Sequence, residues 1–110
     1  MADVMADRRE APRYALILAA EVVEIANGAK LTARSSDVSR TGCYIDTLNP
    51  APMGAEVTVQ LRSGDAAFEA SARVAYVCPG LGMGLHWASN VAPEKIALLD
   101  RWLAEAARNQ

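Results

Sequence analysis

The chain has 110 residues, 52% of them apolar, and sets 11 Lys and Arg against 13 Asp and Glu for a formal net charge of −2. That length suits one domain around one core, and the apolar fraction excludes a disordered chain. The charge balance argues against a nucleic-acid polymer as partner, and no segment approaches the ~20 apolar residues of a membrane span.

The opening "MADVMADRRE" lacks the basic start and apolar middle of a secretory signal, so a cytoplasmic location is expected. Cys43 and Cys78 are then expected to be free thiols. With the lone His86 they offer too few soft ligands for a metal site. Residues 1–8 carry no apolar periodicity and read as a flexible arm. They precede a single domain over residues 9–110.

"DRREAPRY" comes next, with Arg8, Arg9 and Arg13. Pro12 biases Ala11 toward an extended backbone. Four residues at about 3.3 Å each separate Arg9 from Arg13 by about 13 Å. The even spacing puts these two on one side and Arg8 on the other.

A long apolar run, Tyr14 to Ile25, reads as a strand. Asn27-Gly28 is the dipeptide of type I′ hairpin turns, where both central positions need positive φ. Ala29 to Ser36 then returns antiparallel, with Leu31 and Ala33 on one side and Lys30, Thr32 and Arg34 on the other. "DVSRTG", Asp37 to Gly42, is built of turn formers, with Gly42 read as adopting a conformation closed to other residues. "CYIDT" is a short strand, and "LNPAPMG" interrupts it. "AEVTVQL" turns Val57, Val59 and Leu61 to one face, and "RSGD" reverses the chain. "AAFEASARVAYVC" turns Phe68, Ala70, Ala72, Val74 and Tyr76 to one face. "LGMGLHWA" is a last, glycine-bearing strand, in which His86 reads as a strand residue rather than a catalytic base.

The period then changes. Pro93 suits a helix start, and Ile96, Leu99, Trp102, Leu103 and Ala106 form an apolar stripe at helical spacing. The elements predict a mainly β fold: a small six-stranded antiparallel β-barrel over about 13–88, with a C-terminal α-helix over about 93–107 packed on it.

Arg-x-x-x-Arg at Arg9 and Arg13, and Asp-x-Ser-x-x-Gly at Asp37, Ser39 and Gly42, are each common patterns. Their order, one before the first strand and the other after the second, is specific. The chain resembles the PilZ domain family, small bacterial β-barrels that bind the second messenger cyclic di-GMP, from Asp7 through the final helix.

The resemblance implies a cyclic di-GMP site formed by Arg8, Arg9, Arg13, Asp37, Ser39 and Gly42, with Arg40 and Gly84 as further candidates. The chemistry fits on its own grounds. Arginine forks match phosphate oxygens and the guanine O6/N7 edge, while an aspartate accepts from guanine N1–H and the exocyclic amine. Ser39 has a hydroxyl to offer, and the glycine turn exposes backbone N–H groups. If the first two strands pair, Arg13 and Asp37 meet. Arg8, projecting the other way, suits a second stacked ligand, so two cyclic di-GMP per chain are expected.

The expected role is that of a receptor and adaptor, monomeric or weakly dimeric. On binding ligand it would order its arm and change the surface shown to an unidentified protein effector. The alternative is a PilZ-like protein-interaction module that does not bind nucleotide. Single-stranded nucleic acid would require a basic groove and stacking platforms, against an aromatic content of 5%. No nucleophile–base pair, metal cluster or carboxylate pair suggests an enzyme or a cofactor.

Overall fold

A computed structural model describes residues 11–109. The strands are β1 (Tyr14–Ala15), β2 (Ala19–Glu24), β3 (Lys30–Val38), β4 (Gly42–Asp46), β5 (Glu56–Ser63), β6 (Ala66–Cys78) and β7 (Gly82–Trp87), and α1 (Pro93–Arg108) ends the chain. All pairings are antiparallel, in the order β3-β2-β5-β6-β7-β4, and a β3–β4 pairing closes the barrel. The short β1 lies on the same edge of β3 as β2, so six strands run around the circumference.

Alternation drives the closure. Val57, Val59, Leu61, Phe68, Ala72, Val74, Met83 and Leu85 point inward and are buried, which removes a continuous apolar face from water. The β5–β6 hairpin turns on Gly64, at φ 60°, with Ser63 opposite Ala66. Such a left-handed first position is the glycine site of a two-residue loop. Phe68 packs on Trp87 with ring centroids 4.9 Å apart. Pro93 stands at the start of α1, and Leu99, Trp102, Leu103 and Ala106 are its buried stripe. That stripe lies against β6 and β1.

The β2–β3 hairpin forms, but not through a type I′ turn. Gly28 has φ 72°, whereas Asn27 does not have positive φ. Instead Asn27 Oδ1 accepts the Ala29 N–H at 2.9 Å, and the Gly28 N–H donates to the Glu24 carbonyl at 2.9 Å. The asparagine side chain replaces a second left-handed residue, and the loop is correspondingly longer.

The run from Tyr14 to Ile25 is likewise not one strand. It breaks at Leu16–Leu18, where Ser35 of β3, fully buried, fills the gap. Its hydroxyl donates to the Leu16 carbonyl at 2.7 Å and accepts the Leu18 N–H at 3.0 Å. Ser35→Ala strands both backbone groups in the interior. It is expected to cost about 1–3 kcal/mol, measured as a lower urea midpoint at unchanged slope; an unchanged midpoint would show that these groups find other partners.

Two bulges bear on the site. The β3–β4 register slips between Ser35 and Asp37, and the β6–β7 register slips between Val74 and Tyr76. Each inserts one residue and turns the next ones to the other face. Asp37 would otherwise share the inward face of Ser35, and Tyr76 that of Val74. Both instead point outward. The expectation that Tyr76 continues the inward face of β6 is therefore corrected.

A groove floored by two glycines

With both bulges in place, Asp37 lies opposite Tyr44, Tyr44 opposite Gly84, and Gly84 opposite Tyr76. One outward row thus crosses four strands. Gly84 leaves room in it: a Cβ there would overlap the Tyr76 ring, and a Cβ on Gly82 would overlap Tyr44 and the Ile45 carbonyl. The two tyrosine rings consequently lie flat over the sheet, with centroids 6.1 Å apart and tilted by 32°. Burial and a hydrogen bond to Cys78 push the Tyr44 hydroxyl pKa up to about 12, so it remains a neutral hydrogen-bonding group.

Arg13 arrives from the β1 side. Pairing of Tyr14 with Val38 and Ala15 with Asp37 brings it beside the aspartate, as the sequence order of the two motifs implied. Its Nε and Nη2 donate to Asp37 Oδ1 at 3.2 and 3.1 Å, and Nη2 also reaches Oδ2 at 3.1 Å and Tyr76 Oη at 3.3 Å. The Tyr76 hydrogen bond is the largest cause of a raised Arg13 pKa, with Asp37 adding to it, so the guanidinium is a permanent cation.

Ser39 and Gly42 build the neighbouring turn. The buried Ser39 Oγ accepts the Thr41 and Gly42 N–H groups at 3.1 and 3.2 Å, and the Ser39 N–H donates to the Gly42 carbonyl at 2.8 Å. The serine hydroxyl is thus committed to shaping the turn, and the Gly42 N–H is not open to a ligand. Nor does Gly42 have positive φ, contrary to the sequence expectation. A glycine is needed there because a Cβ would run into the Leu85 carbonyl of β7. Arg40, exposed like its neighbour Thr41, reaches across to Asp100 of α1.

These parts surround a groove of about 1090 Å³ that contains Arg13, Ser39, Arg40, Gly42, Tyr76, Gly84 and His86, walled on one side by Ile96 of α1. His86 is an exposed strand residue of that wall. Arg8 and Arg9 fall outside the described residues. A second depression, about 440 Å³ on the outer face of β2, β5 and β6, is lined by Glu21 and Glu69 and is unsuited to an anion. Cys43 and Cys78 are free; burial holds the Cys43 thiol protonated. Among the described residues no cluster of three or more His, Cys, Asp or Glu could hold a metal, and no helix is long and apolar enough to cross a membrane.

The sequence reading missed Tyr76 as a groove residue. Its signal was the later glycine: a tyrosine ahead of a Gly-x-Gly strand has room to lie over that strand once the two pair.

The fold is thus a closed six-stranded barrel with an arginine–aspartate pair beside an aromatic, glycine-floored outer groove. The PilZ domain profile matches residues 7–105, and the chain belongs to the PilZ domain family. Solved structures with the same fold include the Bacillus subtilis inhibitor of motility MotI/DgrA (TM-score 0.78, 16% identity, 94% of this chain and 53% of that one). The PilZ domain of YcgR from Escherichia coli with c-di-GMP is similar over 93% of both chains, at TM-score 0.73 and 18% identity. So is the PilZ domain of CeSA from a cellulose-synthesizing bacterium, at TM-score 0.69 and 19% identity, over 84% of this chain and 98% of that one. The chain therefore spans about half the length of the Bacillus inhibitor. No curated protein sequence matches it.

Proposed function

We propose that the protein is a cyclic di-GMP receptor and adaptor. The observation that carries this reading is the cluster of Arg13, Asp37 and Tyr76, in which Arg13 and Tyr76 line the groove and Asp37 is held at its edge by Arg13. Cyclic di-GMP offers two phosphates and two guanines. Arg13 keeps donors free for a phosphate or a guanine edge. Asp37 keeps lone pairs for guanine N1–H and amine, and the half-exposed Tyr76 ring is a face on which a guanine can stack. The backbone of a relative solved with c-di-GMP superimposes on this barrel, which supports the same ligand here.

Arg8 and Arg9, directly ahead of the groove in sequence, complete the cation set. With Arg8 contributing, two stacked ligands fill the groove, whose volume of about 1090 Å³ lies just above the ~300–1,000 Å³ range of small-molecule sites. Binding through these residues changes the N-terminal arm and the surface shown to a protein effector.

Calorimetry with cyclic di-GMP, with GTP and a short oligonucleotide as controls, tests the reading. Saturation is expected near two equivalents, falling to one in Arg8→Leu. A wild-type endpoint at one equivalent removes the second ligand, and no heat from folded protein leaves the protein-interaction reading. Asp37→Ala is expected to weaken cyclic di-GMP about tenfold or more, since a hydrogen bond to a charged group is worth about 1.5–3 kcal/mol. It should weaken tripolyphosphate much less. Equal losses for both would assign Asp37 to positioning Arg13 rather than to reading guanine.

A further inference from the structure

The turn that carries Arg40 is tied to the helix by one forked pair: Arg40 Nε donates to Asp100 Oδ1 at 3.0 Å and Nη2 to Oδ2 at 3.4 Å. Arg40 lines the same groove as Arg13, and so does Ile96, one helical turn before Asp100. We infer that Asp100 is a built-in competitor for ligand phosphate, so that ligand and helix α1 exchange on the Arg40 guanidinium. This rests on the cyclic di-GMP reading and adds to it how the site's affinity is set and how occupancy reaches the helix.

The argument is one of donor geometry. A guanidinium fork matches a carboxylate and a phosphate equally well. It cannot give the same two N–H groups to both. Each described arginine of the groove, Arg13 and Arg40, already carries a carboxylate. Asp37 sits within the ligand-facing row and has a use there. Asp100 sits on α1, a different element, and loses its partner when Arg40 turns to the ligand. Both side chains of the Arg40–Asp100 pair are exposed (63% and 46%), so the exchange exposes no buried charge and moves no core residue. By linkage, whatever holds Asp100 on Arg40 weakens ligand, and ligand releases that face of the helix to the same degree.

An exposed ion pair is worth about 0.2–1 kcal/mol, so Asp100→Asn is expected to tighten cyclic di-GMP binding about 1.4- to fivefold. Glu105→Gln makes the same charge change farther along the exposed side of α1 and is expected to leave affinity unchanged. Arg40→Gln is expected to weaken binding and to abolish the gain from Asp100→Asn in the double variant. Calorimetry on these variants beside wild type reads all of this. The inference is overturned if Asp100→Asn binds like wild type, if Glu105→Gln gains equally, or if the gain persists without Arg40. Wild-type protein that is folded yet binds no cyclic di-GMP overturns the receptor reading, and this inference falls with it.

Discussion

Arg13→Ala is expected to lower cyclic di-GMP affinity about 30- to 150-fold, the equivalent of about 2–3 kcal/mol. The guanidinium bridges the two ends of the outward row, in contact with both Asp37 and Tyr76. Its loss removes charge-assisted donors to the ligand and also the group that orients Asp37. Arg13→Lys keeps the charge but not the fork, and is expected to recover only part of the loss. Stability should change little, because the Arg13 side chain is 53% exposed and exposed pairs contribute at most about 1 kcal/mol. Calorimetry and a thermal melt on the same preparations separate the two effects. Affinity within twofold of wild type would remove Arg13 from the site.

Gly42→Val is expected to damage the fold itself, by more than about 3 kcal/mol, with a fall in melting temperature of roughly 12 °C or more. The new Cβ would meet the Leu85 carbonyl oxygen, with the Leu85 carbonyl carbon at 3.0 Å and the His86 Cα at 3.2 Å. All three are backbone atoms of β7, the central partner of β4 in the closed barrel, and cannot step aside as a side chain would. Gly28→Ala provides the contrast: no atom lies within 4 Å of its Cβ, and only its φ of 72° is unfavourable. That costs about 1–2 kcal/mol. A Gly42→Val melt within a few degrees of wild type would show that β4 and β7 can separate locally.

Much of the architecture was legible along the chain because its causes are local. Alternation in "AEVTVQL" and "AAFEASARV" decides which side of a strand is apolar. The stripe from Leu99 to Ala106 can only be helical. The order of the two motifs made Arg13 and Asp37 neighbours once the hairpin was drawn, and that proximity comes from antiparallel pairing alone.

The tertiary structure decided where the alternation stops. A bulge is a mismatch in length between paired strands, so neither strand carries it alone. The residues inserted before Asp37 and Tyr76 turn both outward, and continuous alternation misplaces Tyr76 for that reason. Ser35 looked like one more residue of the returning strand until the Leu16–Leu18 break opened beside it. Gly42 looked like a source of backbone freedom, and the glycines of the last strand like a mark of tight curvature or a close neighbour. Closure of the barrel gives Gly42 and Gly84 the same purpose, since Leu85 and Tyr76 approach where any side chain would stand. Asp100 is some 60 residues from Arg40 in sequence and carries no motif. Only the docking of α1 on the barrel brings its carboxylate to the groove, because that contact is set by burial of the helix's apolar stripe and not by anything near Asp100 itself.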